Sequence, residues 1–139
     1  MKHQHLVVLF VHGSKNPKWG NFAYNIQKNL QSHLHQHQQD KKVEVAFLEG
    51  QPPTLEEIVD TFLSEEKDDC RLHVQIIPIF LASGQHVQKD LPSIVQKLRD
   101  KYPQQFCPTI LPTVGEEASF QQYVAELCLS FLQQDEKCL

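Results

Sequence analysis

The chain has 139 residues, of which 40% are apolar and 22% charged, and a formal charge of −4. That is enough for one domain, 1–139, with a real core, and too apolar for an intrinsically disordered chain. The acidic balance gives no general attraction to nucleic acid or anionic lipid, so no nucleic-acid partner is expected.

Leu6-Val7-Val8-Leu9-Phe10-Val11 is an apolar run that ends in His12-Gly13-Ser14. Such a run reads as a buried strand that delivers a polar side chain where the sheet stops. After the loop from Lys15 to Gly20, Phe22, Ile26, Leu30 and Leu34 recur at i, i+4 and predict an amphipathic helix. Val43 to Glu49 is the second strand, broken by Gly50-Gln51-Pro52-Pro53. Thr54 and Glu57 have capping-box spacing for a helix with Leu55, Ile58, Val59 and Phe62 on its inner face. The acidic run Glu65 to Asp69 reads as a solvated turn.

The third strand spans roughly Leu72 to Leu81, and its apolar second half suits the interior of a sheet. Ala82 to His86 forms the loop above it, and Asp90 with Pro92 suits the start of a helix bearing Ile94, Val95, Leu98 and Tyr102. A short strand near Thr109-Ile110-Leu111 lies between Pro108 and Pro112, which confines it to an edge. The last helix presents Phe120, Val124, Leu127, Phe131 and Leu132 as a face to bury, and 135–139 reads as a loose tail.

Strand and helix alternating four times predict an α/β fold of three layers, with a four-stranded parallel sheet covered on both faces and right-handed crossovers. Order 2-1-3-4 places the apolar strands one and three inside and the proline-flanked strand four at an edge. Ligands of such sheets bind beyond the carboxyl ends of the strands where the winding reverses, here between strands one and three. His12 and His86 fall at or just beyond those ends, and Glu49 closes the neighbouring strand two. Two imidazoles and a carboxylate with open positions suit a divalent transition metal rather than magnesium or calcium. A lone strand-end histidine is ordinarily a hydrogen-bonding residue; the joint placement of the three singles them out.

His12-Gly13-Ser14, Phe47-Leu48-Glu49 with a proline and helix beyond, Pro78-Ile79-Phe80-Leu81, Gly84-Gln85-His86-Val87 and Asp90-Leu91-Pro92 stand in order along the chain. As a set they resemble the short-form sirohydrochlorin chelatases, the small class II chelatases of cobalamin and sirohaem synthesis. The likeness runs in register from residue 6 to about 98 and continues as a strand-helix pattern.

The resemblance implies a flavodoxin-like class II chelatase fold and insertion of Co²⁺, or in related enzymes Fe²⁺ or Ni²⁺, into a modified tetrapyrrole. The divalent ion is then a substrate, and no prosthetic group is expected. His12 and His86 would be the metal-binding and proton-accepting histidines and Glu49 their acidic partner. A homodimer is also implied, since longer relatives carry two such halves.

A polycarboxylate substrate calls for local positive charge, which Lys15, Lys18 and Lys89 could supply beside Ser14; their ordinary reading is as solvated lysines. Lysine at position 15, where the family often has arginine, forfeits bidentate carboxylate binding. Gly84 suits either close approach of the macrocycle or, more simply, a positive φ in a turn. Trp19 and Phe80 could face a flat ring, but aromatics at such positions usually pack in the core. The tract His33, His35, His37 reads as a solvated helix end rather than a metal site.

The four cysteines, Cys70, Cys107, Cys128 and Cys138, have no C-x-x-C spacing and read as reduced, mostly buried thiols. The apolar run behind Lys2 is too short for a signal core, and no stretch approaches bilayer-spanning length, so a cytoplasmic, membrane-free protein is expected. A non-catalytic metal or tetrapyrrole carrier on the same fold is the alternative. A nucleotide-binding module would want a glycine-rich phosphate loop where only Gly13 stands, and the hydrolase G-x-S-x-G elbow is missing.

Overall fold

The computed structural model describes residues 2–65 and 69–134. The expectations for the tail 135–139, for most of the acidic run at 65–69 and for the Trp19 ring lie outside what is described. The elements are β1 (Lys2–Val11), α1 (Pro17–Gln36), β2 (Lys42–Phe47), α2 (Leu55–Glu65), β3 (Cys70–Pro78), α3 (Leu91–Lys101), β4 (Phe106–Ile110) and α4 (Ala118–Gln134). A π-helical turn, His86–Asp90, precedes α3, and a 3-10 turn, Val114–Glu116, precedes α4.

The sheet is parallel, in the predicted order β2-β1-β3-β4. Pro108 lies inside β4 opposite Val74, and this strand is indeed at an edge, where a missing ladder donor is tolerated. Local signals start the helices where the chain needs them. The Asn16 side chain accepts the Lys18 N–H at 3.0 Å with Pro17 at the first position of α1, and the Thr54 hydroxyl accepts the Glu57 N–H at 3.2 Å ahead of α2.

The pleat of β1 sends alternate side chains into two cores. Leu6, Val8 and Phe10 join Leu55, Ile58 and Val59 of α2 and Leu91, Val95 and Leu98 of α3. Val7, Leu9 and Val11 join Val43, Val45 and Phe47 under α1, against which Ile26, Leu30 and Leu34 are half-buried. Full burial of a side chain such as Phe10 contributes about 2–3 kcal/mol. Phe22 departs from the predicted inner face of α1 and is 53% exposed.

A larger departure concerns α4. Its predicted buried face does not pack on the sheet: α4 buries no residue, Leu127 is 41% exposed and Leu132 72%, and Phe120 alone of that face is half-buried. The side of β3 and β4 beside α1 is accordingly open, and Arg71, His73, Gln75 and Ile77 alternate as half-exposed residues along β3. The sheet is covered fully on one face and by α1 over β1 and β2 on the other. Periodicity marks an apolar stripe without saying what it packs against, and the same stripe serves inside a chain or between chains. The thiols also depart from expectation, since only Cys70 is buried while Cys107 is half-buried and Cys128 exposed; Cys138 is outside the described residues.

Candidate functional site

The predicted trio meets at the carboxyl edge of the sheet. His12 follows the last residue of β1, and its Nδ1 lies 3.0 Å from the Gly13 carbonyl, an acceptor that places a proton on Nδ1. Nε2 points at Glu49 Oε1, 3.4 Å away. The His86 ring stands edge-on to the His12 ring, with centroids 5.0 Å apart and planes at 73°. His12 is thus the middle member. Among the described residues no three ligating side chains are already gathered around one point, so the set is open.

Each member is placed by backbone features. β2 ends at Phe47 rather than at Glu49, yet the pairing runs on, with the Leu48 N–H on the Val11 carbonyl at 2.8 Å and the Glu49 N–H on the His12 carbonyl at 3.1 Å. Gly13 makes this closure possible. Its φ is +91°, and a Cβ there would run into the Glu49 carbonyl.

His86 opens the π-helical turn, and its Nδ1 bonds to Asp90 Oδ2 at 2.8 Å. Asp90, expected as a helix start, has helical backbone angles and makes no capping bond; its carboxylate orients His86 instead. That bond holds the Nδ1 proton and turns Nε2 outward. A single turn of π-helix is a common way to re-aim a functional side chain.

The loop before His86 is clamped from below. Ser83 donates its backbone N–H to Glu116, and its hydroxyl shares a hydrogen bond with Thr113 at 2.6 Å. The Ser83 side chain, with its N–H, holds the Glu116 carboxyl below the usual carboxylate range. Gly115 donates to the Phe80 carbonyl at 2.9 Å and lies so close to the Leu81 backbone that a side chain there would collide with it.

Beside His12 opens an apolar groove of about 520 Å³, walled by Phe22, Ile79, Phe80, Leu81 and Phe120 among others. Sequence reasoning missed Phe22 and Phe120, assigning both to the core by helical spacing, and set Phe80 aside as a strand-end aromatic of the kind that usually packs in the core, which it also does. The three rings gave no local signal of their own, because a groove wall and a core face carry the same residue types.

The remaining candidates are at the rim. Lys15, Lys18 and Lys89 are exposed on the loops that carry the histidines. The Ser14 hydroxyl accepts the Asn16 N–H at 3.1 Å and so shapes the β1–α1 loop. Gly84 does not have the positive φ expected of it, and a Cβ there would meet nothing within 4 Å, which leaves the backbone open to a ligand. His33, His35 and His37 are exposed at the far end of α1.

The CbiX family profile matches residues 6–130, nearly the whole chain. The chain belongs to the CbiX family. Among curated relatives it is 29% identical over 89 residues to the sirohydrochlorin cobaltochelatase of Saccharolobus solfataricus, covering 64% of this chain and 62% of that one. It is 32% identical over 84 residues to the enzyme of the same name from Methanosarcina acetivorans, covering 60% and 58%. The chain spans about three fifths of the length of these relatives.

The fold is that of two solved chelatase-family structures. One is a putative cobalamin biosynthesis CbiX protein from Marinobacter aquaeolei, with TM-score 0.74 and 18% identity over 94% of this chain and 99% of that one. The other is the sirohydrochlorin chelatase SirB from Bacillus subtilis subspecies spizizenii in complex with cobalt, with TM-score 0.74 and 19% identity over 91% and 50%. Among the described residues no helix is long and apolar enough to cross a membrane.

Proposed function

We propose that this chain is a chelatase that inserts a divalent metal, Co²⁺ in the first instance and Fe²⁺ or Ni²⁺ as alternatives, into sirohydrochlorin or a related modified tetrapyrrole. The observation that carries the reading is the meeting of His12, Glu49 and His86 at the mouth of an apolar groove. Family membership and the names of the curated relatives support it.

The chemistry asks for such an arrangement. A free-base macrocycle must lose two pyrrole protons as the ion sheds its water, and a neutral imidazole of pKa about 6.5 can accept a proton or hold a metal, but one nitrogen cannot do both. In the proposal, Nε2 of His12 with Glu49 receives the ion, and Nε2 of His86, aimed by Asp90 and exposed to solvent, takes the two pyrrole protons one after the other and passes each to water. Phe22, Phe80 and Phe120 give the flat ring an apolar wall, Gly84 lets it approach the backbone, and Ser14, Lys15, Lys18 and Lys89 meet its carboxylates at the rim. An open ligand set suits the task, since a closed site would not release the metal.

The proposal takes residues 1–139 as one domain that works as a cytoplasmic homodimer. The uncovered stripe of α4 supports the dimer.

The test mixes purified protein with metal-free sirohydrochlorin and Co²⁺, Fe²⁺ or Ni²⁺ in turn and follows the visible spectrum against the rate without enzyme. Acceleration with at least one ion, abolished by His12→Ala and by His86→Ala in folded protein, is expected. Binding of the tetrapyrrole without acceleration would make the chain a carrier.

A further inference from the structure

At the opposite end of the sheet from His12 a second group of imidazoles lies on the open face left by α4. His3 and His5 are alternate residues of β1 and therefore project from the same face. His73 of β3 is the register partner of His5, which puts it on that face too. His3 Nδ1 and His73 Nε2 share a hydrogen bond at 2.9 Å. The His5 and His73 rings stack at 4.8 Å between centroids, and those of His3 and His73 at 5.2 Å. His3 and His5 are exposed and His73 is half-buried. From His5 to His12 the strand covers about 23 Å, so the two groups do not share a ligand.

We propose that His3, His5 and His73 form a second, peripheral site for a divalent transition metal. A pair of nitrogens that share one ion at roughly 2.1 Å each stand about 3 Å apart, so an ion that displaces the proton His3 and His73 share at 2.9 Å needs little change in their separation. As placed the rings are stacked and no three donors surround one point. In the proposed site the His5 nitrogen reaches the ion by rotation of its exposed side chain, while the strand ladder keeps all three residues on one face. Nitrogen donors select cobalt, nickel, copper or zinc over magnesium and calcium. Arg71, opposite His3 across the strands, adds positive charge and keeps the site weaker than a closed structural one. The site is exchangeable, and it is independent of whether the chain turns over a tetrapyrrole.

The test titrates Co²⁺ alone into the His12→Ala/His86→Ala variant of the full chain and follows the visible d–d bands of the ion, with far-UV circular dichroism to verify the fold. Saturable binding of one Co²⁺ per chain is expected, weakened at least about tenfold by adding His5→Ala or His73→Ala. Adding His33→Ala/His37→Ala is expected to leave it unchanged. His73→Ala in the otherwise intact chain keeps its metal-insertion rate if the chain is a chelatase, so this site and the proposed activity fail separately. Loss of binding with the α1 tract, equal affinity after His5→Ala and His73→Ala, or no saturable binding in folded protein would overturn the proposal.

Discussion

His86 owes its orientation to one carboxylate. With Asp90 on Nδ1 at 2.8 Å, the imidazole is held in one tautomer and one rotamer, and both are lost when the carboxylate goes. Asp90→Ala is expected to lower kcat for metal insertion by about 10- to 100-fold with little change in KM, and Asp90→Asn, which can still accept the Nδ1 proton, to recover part of the loss. A rise in KM with kcat unchanged would show that Asp90 serves binding instead. Gly13 acts through the backbone. Alanine there meets a positive φ and the Glu49 carbonyl together, so Gly13→Ala is expected to cost at least about 2 kcal/mol in urea unfolding, where a surface substitution costs a few tenths. The need for glycine at 13 is invisible in the sequence because the atom it avoids belongs to residue 49.

Among the elements, the loop from Leu81 to His86 is held by the turn before α4 rather than by its own strand. The Ser83 bond depresses the pKa of Glu116 from its ordinary 4.5, so the clamp is fully present above that value and is lost as pH falls through the folded value. The Ser83 amide resonance is expected to titrate with a midpoint below 4.5 and to stop titrating in Glu116→Gln. Helices α2 and α3 were legible from spacing because their apolar stripes are buried against the sheet in this chain. Helix α4 was legible as a helix but not in its packing. Helix α3 starts where Asp90 and Pro92 indicate, at Leu91, but Asp90 makes no capping bond, because its side chain is taken by His86 four residues earlier.

For the whole molecule, the exposed Tyr123, Val124, Leu127, Leu129, Phe131 and Leu132 make α4 an uncovered apolar surface beside the open half of the sheet. Stable interfaces bury roughly 800 Å² per partner, and a helix of this length and composition supplies an apolar core for one. Sedimentation equilibrium is expected to give a dimer for the full chain and a monomer for Leu127→Asp/Phe131→Asp, with helix content kept. A wild-type monomer at micromolar concentration would remove the dimer from the functional reading.

The sequence by itself determined the alternation of strand and helix, the 2-1-3-4 order and the edge position of β4, because hydrophobic period and proline chemistry act over a few residues. It also indicated His12, Glu49 and His86, since strand ends in such a sheet face one rim. Tertiary structure alone decided that Phe22, Phe80 and Phe120 wall a groove, that Asp90 serves His86, that α4 stands off the sheet, and that His3, His5 and His73 share a face. These outcomes depend on which distant groups meet, and residue type and spacing along the chain do not encode the partner.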